Sequence, residues 1–125
     1  MIICVTSSGN SIDSVLDPRF GRCSYFVISD LKTNEHSIIE NAAGSSSGGA
    51  GISSGQLMVE KNVEVIITGN VGPNAMNVLK TAGIEIYRGE NTSVNENIEN
   101  FKSGLLQKIT ETVPSHFGMG IKEDK

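Results

Sequence analysis

The sequence predicts a single α/β domain, with one mixed sheet of about five strands and helices packed on it. The chain has 125 residues, a length that suits one domain. Short apolar runs separated by turns occupy the first 40 residues, whereas helical periodicities alternate with strand patterns after residue 50. A helix between two strands favours a parallel pair with a right-handed crossover. The order β-β-β-α-β-α-β-α therefore predicts an antiparallel half followed by a parallel half.

Three strands are predicted in the first half of the chain. Residues 2–5 form a continuous apolar run that ends in a Thr-Ser-Ser-Gly loop, and residues 25–28 form a second run of this kind. Residues 30–34 have the composition of a turn. Residues 36–40 are therefore expected to return as the second strand of a hairpin.

Helices and strands alternate in the second half. Residues 44–55 hold five glycines and five serines, which predicts a flexible loop running into a helix over about residues 50–61. Residues 63–68 and 84–87 read as strands. The helix between them is predicted by an apolar stripe of Ala75, Val78, Leu79 and Ala82.

A capping box opens the third predicted helix, because Ser93 is followed three residues later by Glu96. Its expected apolar face consists of Val94, Ile98, Phe101 and Leu105. We expect the domain to cover residues 1–106 and residues 107–125 to form a mobile C-terminal tail.

Composition excludes several classes of function. Ten basic residues against 14 acidic ones give a net charge of −4, and only Arg19 and Arg22 cluster, which argues against a nucleic-acid partner. No apolar run approaches a membrane span, and the first residues lack a signal-peptide pattern, so a cytoplasmic protein is expected. Cys4 and Cys23 form no CxxC or zinc-finger spacing.

The loop at residues 69–73, Gly-Asn-Val-Gly-Pro, is the first candidate site. It follows a predicted parallel strand and precedes a helix, where ligands bind in open α/β sheets and where free N–H groups and the helix dipole attract anions. A tight turn without a ligand explains the same residues equally well. The Gly/Ser loop at 44–55 is a second candidate of this kind, with a solvated loop as the alternative.

Residues 17–23, Asp-Pro-Arg-Phe-Gly-Arg-Cys, form the third candidate. Neighbouring guanidinium groups lower a thiol pKa, and a thiolate suits copper(I), iron–sulfur or molybdenum–sulfur chemistry. The alternative is that Cys23 begins a strand and that the arginines hold surface carboxylates. Cys4 lies in an apolar run and is expected in the core, and His116 in the tail is a weak candidate metal ligand.

Catalytic patterns are sparse. No nucleophile elbow is present, and the first strand lacks the carboxylates that a two-metal nuclease would need. Glu64 and Glu85 alternate with apolar neighbours, which is typical of solvent-facing positions. Hydrolysis is therefore not expected.

Several segments together resemble a known family. They are Asp-Pro-Arg-Phe-Gly-Arg-Cys-Ser-Tyr-Phe at 17–26, Gly-Gly-Ala-Gly-Ile at 48–52, Ile-Thr-Gly-Asn-Val-Gly-Pro at 67–73, Ala-Gly-Ile at 82–84 and Phe-Lys-Ser-Gly at 101–104. Their order and spacing resemble the dinitrogenase iron–molybdenum cofactor biosynthesis family, which includes NifX, NafY and the C-terminal domain of NifB. The resemblance covers about residues 1–106.

The resemblance implies a ribonuclease H-like fold without nuclease activity. It also implies reversible, non-catalytic binding or carriage of an iron–sulfur or molybdenum-containing sulfur cluster or its precursor, exchanged with metal-cofactor donor or acceptor proteins. The implied cofactor-binding residues are Arg19, Phe20, Gly21, Arg22, Gly48, Gly49, Ala50, Gly51, Gly69, Asn70, Val71, Gly72 and Asn74, with Cys23 and His116 as candidate metal ligands.

One departure from the family pattern concerns Arg19. Nitrogenase-linked members typically have a histidine here that is suited to holding the cofactor, whereas arginine does not ligate metals at ordinary pH and acts as a cation. The chain thus resembles the small stand-alone members, one of which carries a molybdenum–copper–sulfur cluster non-covalently. Two alternatives remain: a regulatory or interaction module with a vestigial site, and a small-molecule enzyme at the same pocket.

Overall fold

The computed structural model describes residues 1–42 and 49–111. Within these ranges the chain forms an α/β domain with six strands and three helices. The strands are β1 (Ile2–Ser7), β2 (Tyr25–Asp30), β3 (Glu35–Glu40), β4 (Val65–Thr68), β5 (Glu85–Arg88) and β6 (Gln107–Lys108). The helices are α1 (Ala50–Glu60), α2 (Pro73–Thr81) and α3 (Val94–Lys102).

All six strands belong to one mixed sheet with the order β3-β2-β1-β4-β5-β6. The pairs β1–β2 and β2–β3 are antiparallel, as the hairpin pattern predicted. The pairs β1–β4 and β4–β5 are parallel, because α1 and α2 carry the chain back across one face of the sheet. The central position of β1 is consistent with its sequence, since five of its six residues are buried.

The sheet separates two hydrophobic clusters. On one face, Cys4 and Ile66 of the central strands pack with Met58 of α1 and with Leu79 of α2. On the other face, the alternate strand residues pack against α3. This second cluster includes Ile3, Val5, Val65, Ile67, Val94 and Ile98. The two-residue period of the strands thus distributes the apolar side chains between two layers of helix.

The sixth strand corrects the predicted count of about five. Gln107–Lys108 pairs antiparallel with β5, and Ile109 behind it is buried in the cluster under α2. The sequence places residues 107–109 in the tail, since the polar pair Gln107–Lys108 carries no strand periodicity. Their pairing depends on the free edge of β5, a tertiary contact that no local pattern encodes. Residues 112–125 lie outside the described residues.

Two helical faces also differ from their predicted stripes. Met76 is buried in α2, whereas Val78 is only half-buried. Leu105 is 66% exposed, because α3 ends at Lys102 and Gly104 turns the chain with a φ of 73°. A left-handed residue just past a helix end is a common stop signal, and glycine adopts it without strain. No helix of the described residues is long and apolar enough to cross a membrane.

Candidate functional site

The segment around Pro18 is bound to the loop that follows β4. The Pro18 carbonyl accepts hydrogen bonds from the backbone N–H groups of Gly69 (3.2 Å) and Asn70 (2.7 Å). The Asn70 carbonyl in turn accepts one from the N–H of Phe20 (3.2 Å). The backbones of Arg19 and Asn70 therefore form an isolated parallel bridge, which lies beyond the end of β1. This places the first and third candidate segments side by side.

Glycines allow three segments to approach closely at this end of the sheet. Gly21 has a φ of 92°, and a Cβ there would lie 3.1 Å from Gly51 Cα in α1. A Cβ on Gly51 would in turn lie 3.1 Å from Ala75 Cβ in α2. The turn at residues 18–22 and the first turns of α1 and α2 thus pack against one another. All three lie at the carboxyl ends of β1 and β4, the predicted ligand edge.

Both helices begin without a capping side chain. Gly49 is the N-cap of α1 and Gly72 the N-cap of α2, so neither side chain accepts a hydrogen bond from the first N–H groups. Neither first turn has an acidic residue, and Pro73 occupies the start of α2. Uncapped helix starts carry partial positive charge. Two of them side by side favour a negatively charged ligand.

Asp17, which precedes the 18–22 turn, forms a bidentate ion pair with Arg19 of that turn. Arg19 Nε donates to Asp17 Oδ1 (3.0 Å) and Nη2 donates to Oδ2 (2.9 Å), while the Arg19 backbone N–H also donates to Oδ1 (3.0 Å). Burial raises the pKa of the Asp17 carboxyl, but the hydrogen bonds and charge of Arg19 outweigh burial and hold this pKa below its usual value. Asp17 is therefore ionised at neutral pH.

The lowered pKa of Asp17 gives a pH-dependent contribution to stability. A carboxyl whose pKa is depressed on folding stabilises the fold above its unfolded pKa of about 3.9, and this stabilisation is lost as pH falls toward the folded pKa. We expect Asp17→Asn to lower the free energy of unfolding by about 1 kcal/mol at pH 7, since Arg19 is largely solvent-exposed.

Urea unfolding across this pH range tests the expectation. The stability difference between wild type and Asp17→Asn should shrink in acid. Glu99→Gln, which removes an exposed pair with Lys102, is the control and should cost less at every pH. A difference for Asp17→Asn that stays constant down to the acid limb would contradict the linkage.

Cys23 differs from its predicted chemistry. Its side chain is buried in the cluster under α1 and α2, and burial together with the Asp17 charge raises the pKa of the thiol to about 12. The expected lowering of this pKa by neighbouring arginines is wrong, because removal of the thiol from water dominates and the Asp17 charge adds to it. The thiol is neutral at pH 7 in this conformation.

Asn41 Nδ2 donates to the Cys23 carbonyl (2.9 Å) and to the Gly21 carbonyl (3.0 Å), so it fixes the backbone on either side of Arg22. Cys4 lies in the core as predicted.

The predicted site residues fall into three groups. The exposed ones are Arg19, Arg22, Gly49 and Asn74. The backbone N–H groups of Gly69 and Asn70 are bound to Pro18, so they build the site rather than face a ligand. Buried packing positions are Phe20, Gly21, Ala50 and Val71, and partly buried ones are Gly51 and Gly72. Gly48 and His116 lie outside the described residues.

Arg88 at the end of β5 was not selected from the sequence. Its Nη1 donates to the Gly69 carbonyl at 3.0 Å, so it lies beside the loop that leads to α2. The signal was its place at the end of a predicted parallel strand, the same edge as the first candidate loop. The described part of the chain contains no group of three or more His, Cys, Asp or Glu side chains that could hold a metal ion.

Comparison with known proteins agrees with this architecture. The family described as dinitrogenase iron-molybdenum cofactor matches residues 1–104. The chain belongs to this family. An uncharacterized protein of Methanocaldococcus jannaschii is 40% identical over 97 residues, covering 75% of this chain and 82% of the relative. The resemblance noted in the sequence is thereby confirmed.

Two solved structures share the fold of this family member. The apo form of the orange protein from Desulfovibrio gigas is 34% identical, with a TM-score of 0.82 over 86% of this chain and 92% of that one. A NifB candidate protein from Thermotoga is also 34% identical, with a TM-score of 0.81 over 91% and 97% of the two chains. The family takes part in the biosynthesis of the iron–molybdenum cofactor.

Proposed function

We propose that the chain binds and carries an anionic metal–sulfur cluster or cofactor precursor without catalysing a reaction. The observation that carries the proposal is the meeting of two uncapped helix starts with an arginine-bearing turn at the carboxyl edge of the sheet. Metal–sulfur clusters of this class carry negative charge. Helix starts and guanidinium groups bind anions through N–H groups and positive charge.

The mode of binding follows from which groups are exposed. Arg19 and Arg22 are exposed, whereas Cys23 is buried and neutral at pH 7. The site therefore offers cations and backbone N–H groups rather than a set of metal ligands. This supports non-covalent, reversible carriage. Ligation by Cys23 would require cargo binding to expose its thiol.

The state of Asp17 supports binding rather than turnover. The Asp17 carboxylate is held by Arg19, and its lowered pKa makes it a weak general base and prevents it from acting as an acid at neutral pH.

The strand order β3-β2-β1-β4-β5, with an antiparallel first half and parallel second half, supports assignment to the ribonuclease H-like class. We propose a cytoplasmic carrier that exchanges cargo of the iron–molybdenum type, or another thiometallate, with donor and acceptor proteins.

Anaerobic reconstitution tests the proposal. The protein is incubated with iron, sulfide, molybdate and copper(I), desalted, and examined by metal analysis and absorption spectroscopy. We expect retained metal near one cluster per chain and sulfur-to-metal charge-transfer bands. Arg19→Ala combined with Arg22→Ala should lower the retained metal several-fold. Lys102→Ala, which removes an exposed cation on α3, should leave it unchanged.

Further variants separate the alternatives. Cys23→Ser should retain the cluster if carriage is non-covalent, and loss of the absorption bands in this variant would identify Cys23 as a ligand. Colourless, metal-free wild-type protein would overturn the carrier proposal. Capture of a donor or acceptor protein without bound metal would instead favour an interaction module with a vestigial site.

A further inference from the structure

Arg88 occupies a defined position beside the proposed cargo site. It ends β5 and lies in register with Thr68, the last residue of β4. Ile86, two residues earlier, packs in the cluster under α2, so alternation along the strand places Arg88 on the same face as α2. The hydrogen bond from Nη1 to the Gly69 carbonyl holds the guanidinium group against the loop preceding that helix.

The charges of Arg88 and Arg19 are compensated differently. Arg19 is neutralised by a bidentate pair with Asp17, so its interaction with a second anion is weakened. Arg88 takes part in none of the ion pairs of residues 1–42 and 49–111, which join Arg19 to Asp17, Lys102 to Glu99 and Lys108 to Glu85. Its hydrogen bond to a neutral carbonyl leaves its positive charge in place.

Three neighbouring rows of backbone meet at this edge of the sheet: residues 18–20, residues 69–70 and the end of β5 at Arg88. Residues 18–20 pair with residues 69–70 through Arg19 and Asn70. Residues 69–70 continue β4, and β4 pairs with β5 as far as Arg88. Arg19 lies opposite Asn70 and Arg88 opposite Thr68, so the two arginines are two strand spacings apart across the rows and two residues apart along them, about 12 Å between their backbones. The Gly69 loop lies between them.

We infer that Arg88 is a recognition residue of this site and that, beside Arg19 and Arg22, it adds a positive charge that favours a multiply charged thiometallate anion. This inference rests on the proposed carrier function and adds to it a residue that recognises the charge of the cargo. Arg19, already paired, orients the turn and adds hydrogen-bond donors. Without Arg88 the site keeps its shape but attracts a dianion less strongly.

The test uses tetrathiomolybdate as the probe, titrated anaerobically into wild type and variants at low and high ionic strength. Arg88→Gln keeps an N–H donor for the Gly69 carbonyl but removes the charge, whereas Arg88→Lys keeps the charge. Lys102→Gln is the control for a change in net charge far from the site. Melting temperatures without the probe confirm that each variant folds.

We expect Arg88→Gln to weaken binding about tenfold at low salt, a loss typical of one charge-assisted contact. Its binding should also depend less on ionic strength than that of wild type. Arg88→Lys should bind within about threefold of wild type, and Lys102→Gln should match wild type. A purely structural role for Arg88 would alter the melting temperature without altering the salt dependence.

The outcomes distinguish this inference from the proposed function. Equal affinity and equal salt dependence of wild type and Arg88→Gln would overturn the role of Arg88 while leaving the carrier intact. Equal weakening in Arg88→Lys and Arg88→Gln would overturn the argument from charge. Absence of binding by wild type would overturn both this inference and the carriage of thiometallates.

Discussion

Gly69→Ala is expected to lower the free energy of unfolding by about 3 kcal/mol. A Cβ at this position would lie 2.4 Å from Pro18 Cβ and 2.8 Å from the Pro18 carbonyl oxygen. Contacts this short with backbone cannot be relieved by a side-chain rotation. The two segments must separate, which breaks the hydrogen bonds of the Gly69 and Asn70 N–H groups to Pro18. The loss combines overpacking with unsatisfied backbone groups.

Gly72→Ala is the matched control, since it lies three residues further along the same loop. A Cβ there meets no atom within 4 Å, and its φ of −74° suits any residue. Its stability should remain within about 0.5 kcal/mol of wild type. Urea unfolding of both variants measures the difference. Similar stabilities for the two variants would contradict the close approach of residues 18 and 69 that builds the site.

Asn97→Ala is expected to be similarly damaging, with a loss of about 3 kcal/mol. Asn97 is fully buried, although it lies on a helix that the sequence predicts as amphipathic. Its Oδ1 accepts from the Glu90 N–H (2.7 Å), and its Nδ2 donates to the carbonyls of Glu90 (3.0 Å) and Ser93 (3.0 Å). It thereby holds the loop between β5 and α3. Truncation leaves these groups buried without partners and opens a cavity.

Asn95→Ala is the control for this change. Asn95 is exposed on the first turn of the same helix, so its removal should cost no more than about 0.5 kcal/mol. Unfolding in urea gives both free energies. Hydrogen exchange at the Glu90 amide gives an independent measure, and it should accelerate in Asn97→Ala only. Unchanged protection of that amide would show that Asn97 does not organise the loop.

Much of the fold is predictable because its signals are local. The first three strands and all three helices have the predicted order. Ser93 caps α3 as predicted, since its Oγ accepts from the Glu96 N–H at 3.0 Å, whereas the Glu96 carboxylate accepts from the Thr92 hydroxyl. The prediction errors occur where an element has no sequence pattern of its own, or where an apolar pattern continues past the end of its helix. β6 has two exposed residues, and Leu105 continues the apolar period of α3 past the point where the backbone turns at Gly104.

The candidate site was only partly predictable. Glycines at helix starts, the Arg-Phe-Gly-Arg turn and the loop after β4 all stand out in the sequence, and the structure brings them together. The roles of the individual residues in these segments could not be predicted from the sequence. Gly69 is needed for its contact with Pro18, and the Cys23 thiol is raised in pKa by burial, which depends on helices far away in the chain.

The sequence by itself determined the α/β class, the order of the first five strands and the three helices, the helix starts and the glycine- and arginine-rich segments of the candidate site. Each of these depends on residues within a few positions of one another, through side-chain period, capping or backbone freedom. Only the tertiary structure decided which N–H groups bond to the Pro18 carbonyl. It also decided that Asp17 neutralises the charge of Arg19 and that Arg88 donates to the Gly69 carbonyl. Those facts depend on burial and on the distances between atoms in three dimensions, and neighbouring residues in the chain do not encode them.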